Sequence, residues 1–192
     1  MAWAIIVGVA VLLFVAVIAI VIIYNRLVRR RLLVREGFSG IDVQLKRRHD
    51  LIPNLVKTVQ GYADFEKEVL EDVTKLRGEA AGSQSMDERQ TCENQLSSAL
   101  KRLLVVVEAY PNLKADAQFL DFQRNLTQVE DHLQKARRYY NGAVRDYNIA
   151  VESFPSNVVA KIFGFPQESF FEVDTTSERE APVVKFNQGS DK

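Results

Sequence analysis

Two histidines, one cysteine and a set of interleaved acids, arginines and asparagines are the side chains of this sequence able to do chemistry. His49 precedes Asp50, a pairing that would suit a general base and its orienting acid. Neighbours on a helix point about 100° apart, however, and no motif sets a Ser or Cys nucleophile beside them. His132, with Glu130 and Asp131 before it, falls just off an apolar seam and reads as part of a solvated face. Cys92 lies on an apolar stripe, where a lone cysteine is a small core residue. It can form no internal disulfide, so nothing argues against a reducing compartment. Neither histidine nor cysteine stands at metal-ligand spacing, and the chain lacks a Walker loop, a G-x-G-x-x-G and a G-x-S-x-G. The residues therefore predict no catalytic group, no metal and no cofactor.

The polar residues that remain have a different pattern. Ile41, Leu45, Ile52, Leu55, Val56 and Val59 recur at helical spacing, yet Asp42, Gln44, Lys46, Arg47, Arg48 and Asp50 are interleaved with them. Further along, Asn141 and Asn148 lie seven apart in one stripe with Arg137. The expectation is an interhelical polar cluster in which Asp42, Gln44, Asp50 and Asn54 meet Arg137, Asn141 and Asn148, fixing register at a cost in stability. A competing reading makes the same groups a ligand or metal site, and an enzyme reading places a small-molecule site among Asp42, Arg48, Asp50, Asn141 and Asn148. Helix periodicity already accounts for these positions, so the structural reading is preferred.

The elements that would position them begin at a membrane. Ala2 to Ile23 is free of charge and would span about 33 Å as a helix, against a hydrocarbon core of about 30 Å. The run is too long for a signal-peptide core and ends in no cleavage pattern, so an anchor is expected. Trp3 and Tyr24 sit where interfacial aromatics belong. Ala4 and Gly8 form a lone small-xxx-small pair. Arg26, Arg29, Arg30, Arg31 and Arg35 follow, which by the positive-inside rule predicts a single pass with the amino terminus outside and the rest in the cytoplasm. The same arginines are candidates for anionic lipid headgroups. They are five of the 25 basic residues, leaving 20 against all 25 acidic ones in the body of the chain. A mildly acidic body offers no footprint for nucleic acid.

Beyond Gly40 the pattern predicts a helix from about Ile41 to Arg77, kinked near Pro53, and a linker over Gly78 to Ser85. A second helix, capped by Asp87, carries Cys92, Leu96, Ala99, Leu103, Val106 and Tyr110 and stops before Pro111. The third runs from about Asp116 to Ser153, with a seam from Phe119 through Leu126, Leu133, Tyr140 and Tyr147 to Phe154 that keeps spacings of three and four, as coiled-coil packing requires. A short fourth helix over Asn157 to Phe163 and an extended tail follow, whose Phe170, Phe171, Val184 and Phe186 are able to hook onto the bundle. The fold class is thus all-α: a transmembrane helix, then an antiparallel up-and-down bundle of three long helices and a short fourth. The divisions are 1–25 anchor, 26–40 basic neck, 41–163 bundle and 164–192 tail. Since the second helix is the shortest of the three, one long helix overhangs by about 20 Å at 1.5 Å per residue and needs a cover.

The block from Ile41 to Arg48, followed by Asp50-Leu51-Ile52-Pro53-Asn54-Leu55-Val56 and Gly61-Tyr62-Ala63, resembles the hallmark of the LemA family of bacterial membrane proteins. So do Tyr110-Pro111-Asn112-Leu113-Lys114, Tyr139-Tyr140-Asn141, Tyr147-Asn148, Phe154-Pro155, Phe163-Gly164-Phe165 and Pro182-Val183-Val184-Lys185-Phe186. Gly37-Phe38 departs from the family's more usual Ala-Trp. The resemblance implies an amino-terminal membrane helix and a cytoplasmic helical bundle; it carries no catalytic residue or cofactor to this chain.

Two functions fit. One is a non-enzymatic, membrane-anchored scaffold that self-associates at the inner face of the bacterial membrane, with lipids and further copies of itself as partners. The alternative is a monomeric adaptor or regulator of another membrane protein, such as a protease or enzyme.

Overall fold

A computed structural model describes residues 1–62, 66–83 and 85–171. The elements are α1 (Ala2–Gln60), α2 (Lys67–Gly82), α3 (Met86–Val107), the single turn α4 (Pro111–Lys114), α5 (Ala117–Glu152) and α6 (Ser156–Phe163). The described residues contain no strand, and the all-α class is as the periodicity predicts.

The apolar run and the first helix of the bundle are one helix. α1 continues through residues 26–40, because Leu27, Val34, Gly37 and Ile41 fall on a single buried face at spacings of seven, three and four. Beyond Ile23 it extends about 55 Å at 1.5 Å per residue. It ends at Gly61, whose N–H donates to the Thr58 carbonyl at 3.3 Å while Tyr62 N–H donates to the Val59 carbonyl at 3.0 Å, so the helix expected over Ile41 to Arg77 is in fact two, α1 and α2, in antiparallel succession. The reversal lets Val69, Leu70 and Val73 face back onto Ile52, Leu55 and Val59, burial that a straight continuation would forgo. α2 then runs on to Gly82, past the expected linker at Gly78. Ser85, not Asp87, caps α3, its hydroxyl accepting from Glu88 N–H at 3.1 Å. Asp116 caps α5, its carboxylate accepting from Gln118 and Phe119 N–H at 2.8 and 3.0 Å.

α1 and α5 form the long antiparallel pair at the centre. Their register holds from end to end: Arg30 meets Asp146, Gly37 meets Tyr140, Arg48 meets Glu130 and Thr58 meets Gln118. At Gly37 the helices approach so closely that a Cβ would stand 3.0 Å from the Tyr140 Cα. The α2–α3 hairpin packs on the far half of the pair, where Leu96, Leu100 and Leu103 join Phe119, Phe122 and Leu126 in one core. The near half is the overhang, and it is covered within the chain. Residues 165–171 lie along it, with Phe171 buried among Ile41, Leu133, Tyr140 and Tyr147, and α6 closes the end against Leu27 and Ala150. Phe154, placed on the seam by its spacing, is instead exposed, because the chain turns out of α5 at Ser153. Phe170 is exposed too; Val184 and Phe186 lie outside the described residues.

Candidate functional site

Charged residues occupy core positions of three helices. Arg48 interrupts the apolar face Ile41, Leu45, Ile52, Leu55 of α1; Glu93 leads the face Leu96, Leu100, Leu103 of α3; Arg137 sits between Leu133 and Tyr140 on α5. All three are buried. Arg48 Nη1 donates to Ser97 Oγ at 2.7 Å and to Glu130 Oε1 at 2.9 Å, while Nη2 donates to Glu93 Oε2 and, at 3.4 Å, to the Glu93 carbonyl. Glu93 Oε1 lies 2.8 Å from His49 Nε2. Burial lowers the His49 pKa to about 4, helped by the Arg48 and Arg77 guanidinium groups and opposed by Asp50. At neutral pH the ring is uncharged, and Nε2–H is the donor to the carboxylate.

Pro53 adds a fourth member. It has no N–H, so the carbonyl one turn back, that of His49, loses its helical donor. Arg77 of α2 supplies another: its Nε donates to His49 O at 2.8 Å. The proline expected to kink α1 thus creates an acceptor, and the guanidinium that fills it ties α2 to α1.

This arrangement suits a lock more than a reaction. Both Glu93 oxygens are engaged, and Ser97 Oγ accepts from Arg48 while donating to its own Glu93 carbonyl at 2.9 Å. Taking a guanidinium and a carboxylate out of water costs several kcal/mol per ion, which only matched partners offset. α1, α3 and α5 must therefore meet in one register for Arg48, Glu93 and Glu130 to be satisfied. Among the described residues no group of three or more His, Cys, Asp or Glu is placed to hold a metal.

The predicted polar cluster assembles differently. Asn141 and Asn148 turn away from Asp42, Gln44, Asp50 and Asn54 and read the tail backbone. Asn148 Nδ2 donates to Glu168 O at 2.8 Å and its Oδ1 accepts from Glu168 N–H at 3.0 Å. Asn141 makes the same pair with Phe171, at 3.0 and 2.9 Å. Tyr147 and Tyr140 hydroxyls donate to the Pro166 and Ser169 carbonyls, each at 2.8 Å. The geometry explains the spacing. One heptad of helix rises about 10.5 Å, and three residues of extended chain cover about 10 Å. A Tyr-Asn pair repeated every seven residues therefore matches tail positions repeated every three.

Arg137 stacks on this tail segment, its guanidinium carbon 4.8 Å from the Phe171 ring centroid. Burial, with Arg48 nearby, lowers its pKa, and Glu130 opposes this. Asp42 pairs with Arg89 of α3. Asp50 is exposed, Gln44 Oε1 is buried without a partner among the described residues, and Asn54 lines a groove of about 360 Å³ with Lys57, Thr58 and Gln118. Of the seven residues, Arg137 and Asp50 come near the Arg48 network, Arg137 beside Arg48 and Glu130 and Asp50 beside His49.

A family model described as LemA family matches residues 37–186, a span containing the Arg48 network and both Tyr-Asn pairs. The chain belongs to the LemA family. Similar proteins include Magnetosome protein MamQ 2 of Paramagnetospirillum magneticum, 26% identical over 163 residues that cover 70% of this chain and 59% of the relative. Protein LemA of Metamycoplasma hominis is 28% identical over 139 residues, 71% of this chain and 63% of that protein. Magnetosome protein MamQ of Magnetospirillum gryphiswaldense is 23% identical over 159 residues, 69% and 58% respectively. The chain thus spans about three-fifths of the curated relatives it matches, and none of the three carries the name of an enzyme. It is a membrane-associated helical LemA-family protein, with one helix among the described residues, α1, long and apolar enough to cross a membrane, whose residues 2–22 are exposed.

Within this LemA-family chain the five neck arginines divide. Arg30 donates to the Asp146 carbonyl and Arg31 pairs with Glu168 at 3.3 Å, so both hold the overhang together. Arg26, Arg29 and Arg35 are exposed. The sequence pattern points neither to Glu93, Ser97 and Glu130 as partners of Arg48 nor to Arg77 as the donor to the His49 carbonyl. The available signal was a charged residue on the apolar faces of α1 and α3, where a neutral one would pack.

Proposed function

We propose that the chain is a non-enzymatic, membrane-anchored scaffold whose bundle stands in the cytoplasm and associates with further copies of itself. The unbroken course of α1 from Ala2 to Gln60 carries this reading. The helix that enters the bilayer is also the central member of the bundle, so a position taken up in the membrane is transmitted through about 55 Å of helix without a hinge. The Arg48 network and the contacts of the Tyr-Asn pairs with the tail then stiffen both halves of the pair. Leu32, Leu33 and Val43 are exposed on α1, as are residues 2–22; these are surfaces that parallel copies can share. The five neck arginines support a cytoplasmic bundle by the positive-inside rule.

The adaptor reading has one specific observation in its favour. The overhang that called for a partner is covered in cis by α6 and residues 165–171. Cysteine crosslinking separates the two. With Cys92→Ala as background, Leu32→Cys or Leu33→Cys in native membranes should give a disulfide-linked dimer on mild oxidation. Exclusive recovery of uncrosslinked chain, or crosslinks only to another protein, would favour the adaptor.

A further inference from the structure

α6 buries only one side. Val159 and Ala160 pack with Leu27 and Ala150, and Phe163 stands edge-on to Tyr24 with ring centroids 5.0 Å apart. On the outward side Val158 and Ile162, one helical turn apart, are 49% and 69% exposed, and Phe154, four residues earlier, is 82% exposed. Scattered exposed apolar residues are ordinary, but three at one end of a bundle are a candidate contact surface.

Height decides what covers it. α6 meets α1 at Ile23, Tyr24 and Leu27, the point where the charge-free run ends and where an interfacial aromatic belongs. Phe165 also reaches Tyr24, at 5.6 Å, so the contact is made from two sides of the Gly164 turn. That turn needs its glycine, with φ at +68°. A short helix with a strong apolar side, fixed at the level where a membrane helix emerges, presents that side to headgroups and upper acyl chains rather than to bulk water. Arg26, Arg29 and Lys161 are exposed on the same stretch and suit anionic headgroups; the acid nearest in sequence, Glu152, accepts from Gln167.

We propose that α6 is an interfacial helix whose Val158 and Ile162, with Phe154 just before it, enter the leaflet from which α1 emerges, giving the bundle a second hold on the bilayer and fixing its tilt. This rests on the reading that Ala2–Ile23 crosses that bilayer. The test uses the full-length chain with Cys92→Ala, reconstituted in phosphatidylcholine vesicles containing phosphatidylglycerol. Single cysteines Val158→Cys, Leu12→Cys and Val105→Cys carry an environment-sensitive fluorophore, and lipids spin-labelled shallow or deep in the acyl chain serve as quenchers. All three positions are exposed, so the fold is not at risk. The expected result is a blue-shifted probe at Val158 quenched more by the shallow label, a probe at Leu12 quenched more by the deep one, and a probe at Val105 quenched by neither. A Val158 probe behaving like the one at Val105, with Leu12 still quenched, would overturn the proposal and spare the anchor. Blue-shifted but unquenched emission at Val158 would mean that protein covers the face, and would also overturn it. An unquenched probe at Leu12 would remove the anchor and the proposal together.

Discussion

Replacing Arg48 by Met should reverse the acid response of the bundle. The substitution keeps most of the side-chain volume and removes the charge that holds Glu93 Oε2, Glu130 and Ser97. Breaking a buried pair from one side costs about 3–5 kcal/mol, because a carboxylate is left buried without its cation. His49 can offset part of this, since it already stands 2.8 Å from Glu93 Oε1. In the natural protein burial and the Arg48 and Arg77 charges hold its pKa at about 4 instead of 6.5. The folded state thus binds fewer protons than the unfolded one between those values. The stability this gives is fully present above about pH 6.5 and is lost as pH falls toward 4, at about 1.4 kcal/mol per pH unit, or about 3 kcal/mol in all. Without Arg48 the ring faces an unneutralised carboxylate, and its pKa should rise above the ordinary value. A His49–Glu93 ion pair then stabilises the variant below about pH 6.5 and is lost as pH rises. The stability gap between natural protein and Arg48→Met should therefore narrow from pH 7 to 4.5. Histidine-selective NMR reads the cause directly, since only His49 and His132 contribute. A His49 resonance in the variant that still titrates near pH 4, or a gap that widens in acid, would refute the argument.

Further expectations follow from single contacts. Arg77→Met strands the His49 carbonyl and should cost about 1–3 kcal/mol; adding Pro53→Ala restores an N–H to that carbonyl, so the double variant should recover much of the loss, and additive denaturation midpoints would argue against the contact. Asn148→Ala removes two hydrogen bonds to Glu168 and should cost about 1–3 kcal/mol, with faster amide exchange at Glu168 while the α2–α3 hairpin is unaffected. Phe171→Ala should cost about 3–5 kcal/mol, since the ring is fully buried and Arg137 stacks on it; a change below about 1 kcal/mol by denaturant titration would mean that residues 165–171 are not part of the folded unit. Gly37→Leu should be destabilising in the same assay despite the better helix propensity of Leu, because the new side chain meets the α5 backbone.

The parts of the structure read correctly from sequence are those with unbroken periodicity. α5 keeps its buried stripe from Phe119 to Ala150 and falls within one residue of its expected ends. The break at Gly61 was missed because the apolar spacing of Val59 continues in helical phase into α2, so nothing in the pattern separates a straight helix from a hairpin. Pro53 drew attention to the wrong place: a proline inside a helix removes one bond, and here Arg77 supplies the replacement donor. The spacing of Asn141 and Asn148 leads to an expected pairing with another helix, whereas both are half-buried against the tail. Their partners are backbone atoms of residues 168 and 171, and a backbone partner leaves no side-chain pattern to read. Arg48 and Glu93 were legible in principle, as charges on apolar faces, but periodicity does not say which charge meets which.

The measurement that bears most directly on the scaffold is the native mass of the full-length protein extracted from its own membrane in a mild detergent. A homogeneous homo-oligomer, with copies held by the anchor and the exposed side of α1, is the predicted result. A single copy bound to a different membrane protein would contradict it and make the bundle an adaptor.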